Sequence, residues 1–233
     1  MRFTSDSARA RFASAVIHSN VPPQRVLDLV EVLAARMREL SGGRLWMGAH
    51  MRRGDCKCAV PPAHDCVLPF TDRPIVPISM FATVLRIGWV LESTIEDHIN
   101  RVRDRLEAGG SILEHLGNAT AYDIEGVGPN PDLSTLSPPL LNAPFYIATD
   151  EQNPQAVEVI RKAGGVLLSD LLTMEDRREY GWQLLLKDVH AVVEQGVLAY
   201  SAYFYGAYMS SFSGTIVNNR AAQGADRRTA LLE

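Results

Sequence analysis

Short apolar runs alternate along this chain with stretches in which apolar residues recur every three or four positions. The first such stretch begins after Pro22-Pro23 and ends before Gly42-Gly43, residues that favour the start and the stop of a helix. Its apolar positions have helical spacing: Val26, Leu29, Val30, Leu33 and Met37. The run RLWMGAHM follows directly and predicts a short, buried strand.

The alternation becomes tighter after residue 144. FYIATD predicts a strand, NPQAVEVIRKAG a helix and GVLLSD a second strand. A long helix from Asp188 to Ser201 then leads to the strand YFYGAY, and SSFSGTIVNNRAAQG predicts a final helix. Strands that alternate with helices form parallel sheets with helices on both faces. The predicted fold class is therefore α/β, with a Rossmann-like parallel sheet.

The middle of the chain departs from this pattern. RRGDCKCAVPPAHDCVLPFTDRPIVP is rich in proline, cysteine and charge and predicts a long loop. Residues 78–107 predict a helix, or a broken pair, that ends at Gly109-Gly110, and an irregular stretch follows. We therefore divide the chain into N-terminal helices over residues 1–43, which pack on the domain, and a Rossmann-like domain over 44–233 with an irregular insertion at about 57–143.

Composition is compatible with one large α/β domain: the chain has 233 residues, of which 46% are hydrophobic and 21% charged. The net charge of −4 gives no reason to expect a nucleic-acid partner. The first 60 residues nevertheless hold ten basic and five acidic side chains. A basic N-terminal quarter in an acidic protein favours a small anionic ligand over a polyanion.

No apolar run reaches the ~18 residues that a membrane span needs. The N-terminus MRFTSDSARARFASAVIHS lacks the long apolar segment of a signal peptide and is more typical of a helix. This sequence therefore predicts no membrane span and carries no address signal, so we expect either a cytosolic protein or one whose N-terminal portion is missing here.

Polar residues are concentrated where three of the predicted strands end, at 50–55, 149–151 and 210–213. In open parallel sheets, ligands bind beyond the carboxyl ends of the strands. An arginine such as Arg52 at a strand tip offers a fork of donors suited to phosphate oxygens. The run SSFSG before a helix leaves backbone N–H groups for an anion. A solvated surface arginine and an ordinary helix cap are the alternative interpretations.

Three motifs, HMRRGD, FYIATDE and FYGAYMSSFSGTIVNNR, resemble in this order the motifs of the GDP-fucose-dependent fucosyltransferases. That superfamily includes the protein O-fucosyltransferases and the α1,6-fucosyltransferases. The resemblance covers about Arg44–Gly224, with a poor match from about Lys57 to Ala143. It implies the C-terminal, donor-binding half of a GT-B glycosyltransferase. We see no counterpart of the N-terminal half. The cellular compartment that the resemblance implies is the lumen of the ER or Golgi.

The resemblance implies how the donor's diphosphate and sugar are held. It assigns Arg52 to the diphosphate, as the chief electrostatic catalyst. Ser210, Ser211 and Phe212 are expected beside the β-phosphate and fucose, and Asp55 is expected to support the loop that carries Arg52. Charge grows on the diphosphate as the sugar leaves, so donors aimed at it stabilise the transition state.

The resemblance also implies how the base is recognised. His50 is expected to lie against guanine, and Glu194, sixteen positions before the SSF run, to read its edge. Family members often have Asp at this position. Asp150 and Glu151 are expected to shape the site. The chain has no Asp-x-Asp motif, and we expect an inverting transfer from GDP-fucose to a glycan or protein hydroxyl with no metal and no cofactor.

The state of a cysteine cluster is left open by its spacing. Cys56, Cys58 and Cys66 lie close to His64, which allows a disulfide with one cysteine left over, free thiols, or a zinc site. The other histidines lie in helical patterns without a partner of catalytic type: His18, His98, His115 and His190.

Two further functions remain as alternatives to the transferase. The first is a non-catalytic GDP-sugar-binding module that needs a partner chain. The second is a Rossmann-like protein for another nucleotide, which the absence of a Gly-x-Gly-x-x-Gly loop makes less favourable.

Overall fold

A computed structural model describes residues 21–52, 94–116, 127–208 and 210–233, together with Ile124 and a few positions between 5 and 15. The order of its elements is α1 (Gln24–Leu40), β1 (Met47–Met51), α2 (Ile95–His115), α3 (Pro131–Thr135), β2 (Phe145–Thr149), α4 (Pro154–Lys162), β3 (Gly165–Val166), α5 (Leu168–Leu171), α6 (Met174–Tyr180), α7 (Lys187–Ala199), β4 (Tyr203–Gly206), α8 (Ser211–Ala222) and β5 (Ala230–Leu232). Two short 3₁₀ helices cover Gly181–Leu185 and Arg227–Thr229.

The five strands form one parallel sheet in the order β3-β2-β1-β4-β5. β1 lies at its centre and pairs with β2 from Met47↔Phe145 to Met51↔Thr149, and with β4 from Met47↔Tyr203 onward. The chain therefore moves outward from β1 through β2 and β3, then crosses to β4 and β5 on the other side. This confirms the predicted α/β class and places the topological switch point between the carboxyl ends of β1 and β4.

Both faces of the sheet are covered by helices. Alternate strand residues point to opposite faces. Trp46, Tyr146, Ala148 and Phe204 pack against α1, α7 and α8, whereas Met47, Ala49, Ile147 and Tyr205 are among those that pack against α2 and α4. All five residues of β1 are buried, as expected for a central parallel strand. No helix in the described ranges is both long and apolar enough to cross a bilayer.

The helix limits follow local chemistry where the sequence carries a clear signal. Gly42 and Gly43 have positive φ just after α1, as the double glycine predicts. Asn153 caps α4 by accepting the N–H groups of Gln155 and Ala156, with Pro154 in the first turn. These boundaries confirm the predictions made from the pattern.

Three local predictions are wrong. α2 does not end at Gly109-Gly110 but continues to His115. Gly109 serves packing instead, since a Cβ there would lie 2.3 Å from the Tyr203 ring. This glycine lets the helix approach β4. In GVLLSD only Gly165–Val166 is a strand: the Asp170 carboxylate accepts the Leu167 N–H and starts α5. The terminal strand β5 was not predicted. The start of the helix predicted from residue 78 lies outside the described residues.

Candidate functional site

The site lies where β1, β2 and β4 end, next to the switch point. His50 is the penultimate residue of β1 and pairs with Ala148 of β2. It shares the face of Gly48, which looks toward α7 and α8, and Arg52 follows the strand at an exposed position. A second group of polar residues follows β4, where the chain leads through Ala207 into α8. Two of the three predicted strand tips are therefore adjacent in the sheet, and β2 supplies the third.

A buried hydrogen-bond chain connects the first and third tips. The Ala207 N–H donates to Ser213 Oγ over 3.1 Å, and Ser213 Oγ lies 2.8 Å from His50 Nδ1. Among the described residues Nδ1 is the one acceptor within reach of the Ser213 O–H, so we assign this O–H as the donor to Nδ1 and place the imidazole proton on Nε2. Gly206 permits this approach, since a Cβ there would lie 2.6 Å from Ser213 Oγ.

Burial makes His50 a neutral side chain. It lowers the pKa of His50 to about 4; the charge of Asp150 opposes this shift and that of Arg52 adds to it. The imidazole therefore offers a neutral Nε2–H near pH 7. Phe212 lies against it, with ring centroids 4.5 Å apart at an angle of 36°. The two rings therefore pack on each other at a tilt, and both line the same cavity.

This cavity has a volume of about 440 Å³, within the size range of small-molecule sites. Five of the predicted site residues line it: His50, Asp150, Glu151, Glu194 and Phe212. It runs along the carboxyl ends of β1 and β2 toward β3, and α7 forms one side through Lys187, His190, Ala191 and Glu194. The last three follow Lys187 by three, four and seven residues, so all four positions share one helix face.

Glu194 carries an unusual carboxyl group. The side chain is half-buried, and no described residue forms a hydrogen bond or ion pair with it. Burial raises the pKa of this carboxyl group from 4.5 to about 8. Its charge in turn adds to the rise in the pKa of the buried Tyr146 hydroxyl on β2, after the larger effect of burial. The carboxyl therefore lies over β2, facing the cavity without a protein partner.

Three other predicted residues, Arg52, Ser210 and Ser211, are described but do not line this cavity. The charge of Arg52 nevertheless acts on His50. Ser210 is buried and caps α8 by accepting the Ser213 N–H over 3.4 Å, and Ser211 is the exposed first residue of that helix. The predicted residue Asp55, like the cysteine cluster, lies outside the described residues.

Sequence reasoning missed four residues of the site. Ser213 was quoted in the SSFSG run but not given a role. His190 was set aside as a helix residue, although its spacing of four from Glu194 places both on one face. Arg177 and Lys187 also line the cavity and had no local signal. Among the described residues, no group of three or more His, Cys, Asp or Glu is arranged to hold a metal ion.

Neither a protein-family model nor a curated protein sequence matches the chain. The resemblance to fucosyltransferases therefore remains an expectation that rests on the three motifs.

Proposed function

We propose that this chain carries the donor-binding site of a glycosyltransferase that moves fucose from GDP-fucose to a glycan or protein hydroxyl. The observation that carries the proposal is the cavity beside the switch point, which the unpartnered carboxyl of Glu194 lines together with the aromatic pair His50–Phe212. This combination has the chemistry that a guanine base needs.

Guanine presents its N1–H and N2–H₂ donors side by side, and a carboxylate accepts from both. Uracil and adenine do not offer that pair. A ligand that leaves a buried acceptor unpaired binds less well by about 1–3 kcal/mol. The partly exposed ring of Phe212, backed by His50, would supply a stacking surface for the purine, and the neutral His50 Nε2–H would add one donor. The site therefore favours guanine over other bases.

The diphosphate is assigned to the neighbouring first turn of α8 and to Arg52. Ser210 caps Ser213, and no described residue accepts the N–H groups of Ser211 and Phe212. Free N–H groups at the start of a 12-residue helix attract anions. With the Arg52 guanidinium, they would stabilise the charge that develops on the leaving diphosphate as the bond to fucose breaks.

Calorimetry with GDP, UDP and ADP tests the base assignment. We expect the chain to bind GDP at least about tenfold more tightly than the other two, equivalent to ~1.4 kcal/mol. Glu194→Gln should reduce this preference, because an amide cannot accept both donors. Glu158→Gln, which changes an exposed carboxyl on α4, is the control and should have no effect. Equal affinities for the three nucleotides would end the proposal.

A transfer assay from GDP-fucose to panels of glycan and protein acceptors tests the catalytic part of the proposal. It is run in the full-length context, with an acceptor-binding half present, because the donor-binding half alone is expected to bind GDP with little or no transfer. Arg52→Ala and Arg52→Lys should each lower the rate by about 10²–10³, since lysine keeps the charge but loses the fork. Arg44→Lys, ahead of the other end of β1, is the control. In that context, GDP-fucose binding without transfer to any acceptor would favour the non-catalytic GDP-sugar-binding module instead.

A further inference from the structure

Two cations line the cavity and have no role in the arrangement above. Arg177 lies on α6 and is half-buried, and Lys187 is the exposed first residue of α7. Within the described ranges, no side chain or carbonyl pairs with either of them. Three arginines elsewhere are held by carboxylates: Arg36 by Asp176, Arg161 by Asp170 and Arg228 by Asp226. An arginine in a cavity wall without such a partner is available to a ligand.

The cations lie at a distance from the Glu194 carboxyl. Lys187 and Glu194 are seven residues apart on one helix, so their Cα atoms are separated by about 10 Å. Arg177 lines the cavity from a different element, α6, which follows β3 and α5 in the chain. Burial is the only cause of the raised pKa of Glu194, so neither cation neutralises it. The cavity thus offers an acceptor and a donor fork at separate places.

Guanine has the complementary arrangement on one ring system. Next to its N1–H and N2–H₂ donors lie two acceptors, O6 and N7, and an arginine fork is the side chain that most often binds this pair. We propose that Arg177 donates to O6 and N7 of the guanine whose N1–H and N2–H₂ are held by Glu194. This second specificity determinant rests on the proposed function. Adenine would be rejected twice, because it presents an N6–H₂ donor where Arg177 needs an acceptor.

Arg177 suits this role better than Lys187. A guanidinium places two N–H donors in one plane, whereas an ammonium is a point charge on a flexible stem. Lys187 is also exposed at the N-terminal end of α7, where its charge is screened by solvent. The substitution Lys187→Met is therefore the natural control, because it removes one positive charge from the same cavity without removing a guanidinium fork.

Calorimetry with GDP, 7-deaza-GDP and IDP separates the two contacts. The 7-deaza analogue lacks N7 and probes Arg177, whereas IDP lacks the N2 amine and probes Glu194. For the wild-type chain we expect both analogues to bind about tenfold more weakly than GDP. Arg177→Met should weaken GDP about tenfold, abolish the penalty on 7-deaza-GDP and retain that on IDP. Arg177→Lys should resemble Arg177→Met, and Lys187→Met should leave all three ratios unchanged.

Failure of this inference is distinguishable from failure of the proposed function. If wild-type chain binds GDP, IDP and ADP equally, the guanine site itself is wrong. If it prefers GDP but binds 7-deaza-GDP equally well, Arg177 does not read the base. Equal losses in Arg177→Met and Lys187→Met would reduce the effect to general electrostatics. Weaker inorganic pyrophosphate binding by Arg177→Met alone would make it a phosphate contact and overturn the assignment.

Discussion

GDP affinity should rise steeply with pH between 6 and 8, because the form of Glu194 that accepts two donors from guanine is the carboxylate. Burial raises the pKa of this group to about 8, so the empty site holds mostly the neutral acid at pH 7. Binding of guanine to the carboxylate must therefore release a proton. His50 adds nothing to this slope, since its pKa of about 4 keeps it neutral throughout the range.

The size of the effect follows from the pKa. With a value of about 8, roughly one Glu194 in a hundred is ionised at pH 6 and about half at pH 8. If only the carboxylate binds guanine, the association constant increases about 50-fold over this interval. At ~1.4 kcal/mol per factor of ten, this is about 2.3 kcal/mol. The effect is large enough to measure directly.

Calorimetry at half-unit intervals of pH, in two buffers of different ionisation enthalpy, gives both the affinity and the number of protons released. The β-phosphate of GDP also titrates near pH 6. Glu194→Gln is measured in parallel, because it retains every other titrating group of the cavity and of the ligand. The difference between wild type and variant isolates Glu194.

Two results would refute the reasoning. A flat difference curve would mean that Glu194 does not ionise on binding, and hence does not accept from guanine as a carboxylate. Affinity that falls as pH rises in wild type alone would mean that the neutral acid is the binding form, which would make Glu194 a donor to some other group.

Three further predictions concern stability. Glu194→Gln should raise the melting temperature above that of wild type, and the difference should grow from pH 5 to pH 8. The reason is that the Glu194 carboxyl loses its proton near pH 4.5 in the unfolded chain but near pH 8 in the folded chain. A difference in melting temperature that does not change with pH would contradict the buried carboxyl. Arg220→Met should lower the free energy of unfolding by about 3 kcal/mol in urea titrations, because its buried guanidinium holds four carbonyls and two hydroxyls; a loss below about 1 kcal/mol would argue against that role. Gly109→Ala should destabilise by about 1–3 kcal/mol through its clash with Tyr203, whereas Gly110→Ala, with 3.5 Å of room, should be neutral or stabilising; equal effects would contradict the packing.

Several parts of the fold were determined by residues that are neighbours in sequence. Continuous apolar runs predicted β1, β2 and β4, because a strand buried on both faces needs no polar alternation. Side-chain caps and glycines set the helix limits, as at Asn153 and Gly42. The clustering of polar residues at the strand ends was predicted from the same strands, since parallel strands end at one edge of a sheet. These signals act over a few residues and are legible in a single chain.

Other features were decided only by contacts between distant residues. β5 exists because Ala230–Leu232 pairs with β4, and Gly109 lies inside α2 as a packing position because the Tyr203 ring occupies the space beside it. His50 is neutral, and bound to Ser213, because α8 covers β1. Arg177 lines the cavity from α6, which no local signal connected to the site. Glu194 was identified by its place in a motif, but its raised pKa comes from burial, which depends on how the elements assemble and not on its sequence neighbours.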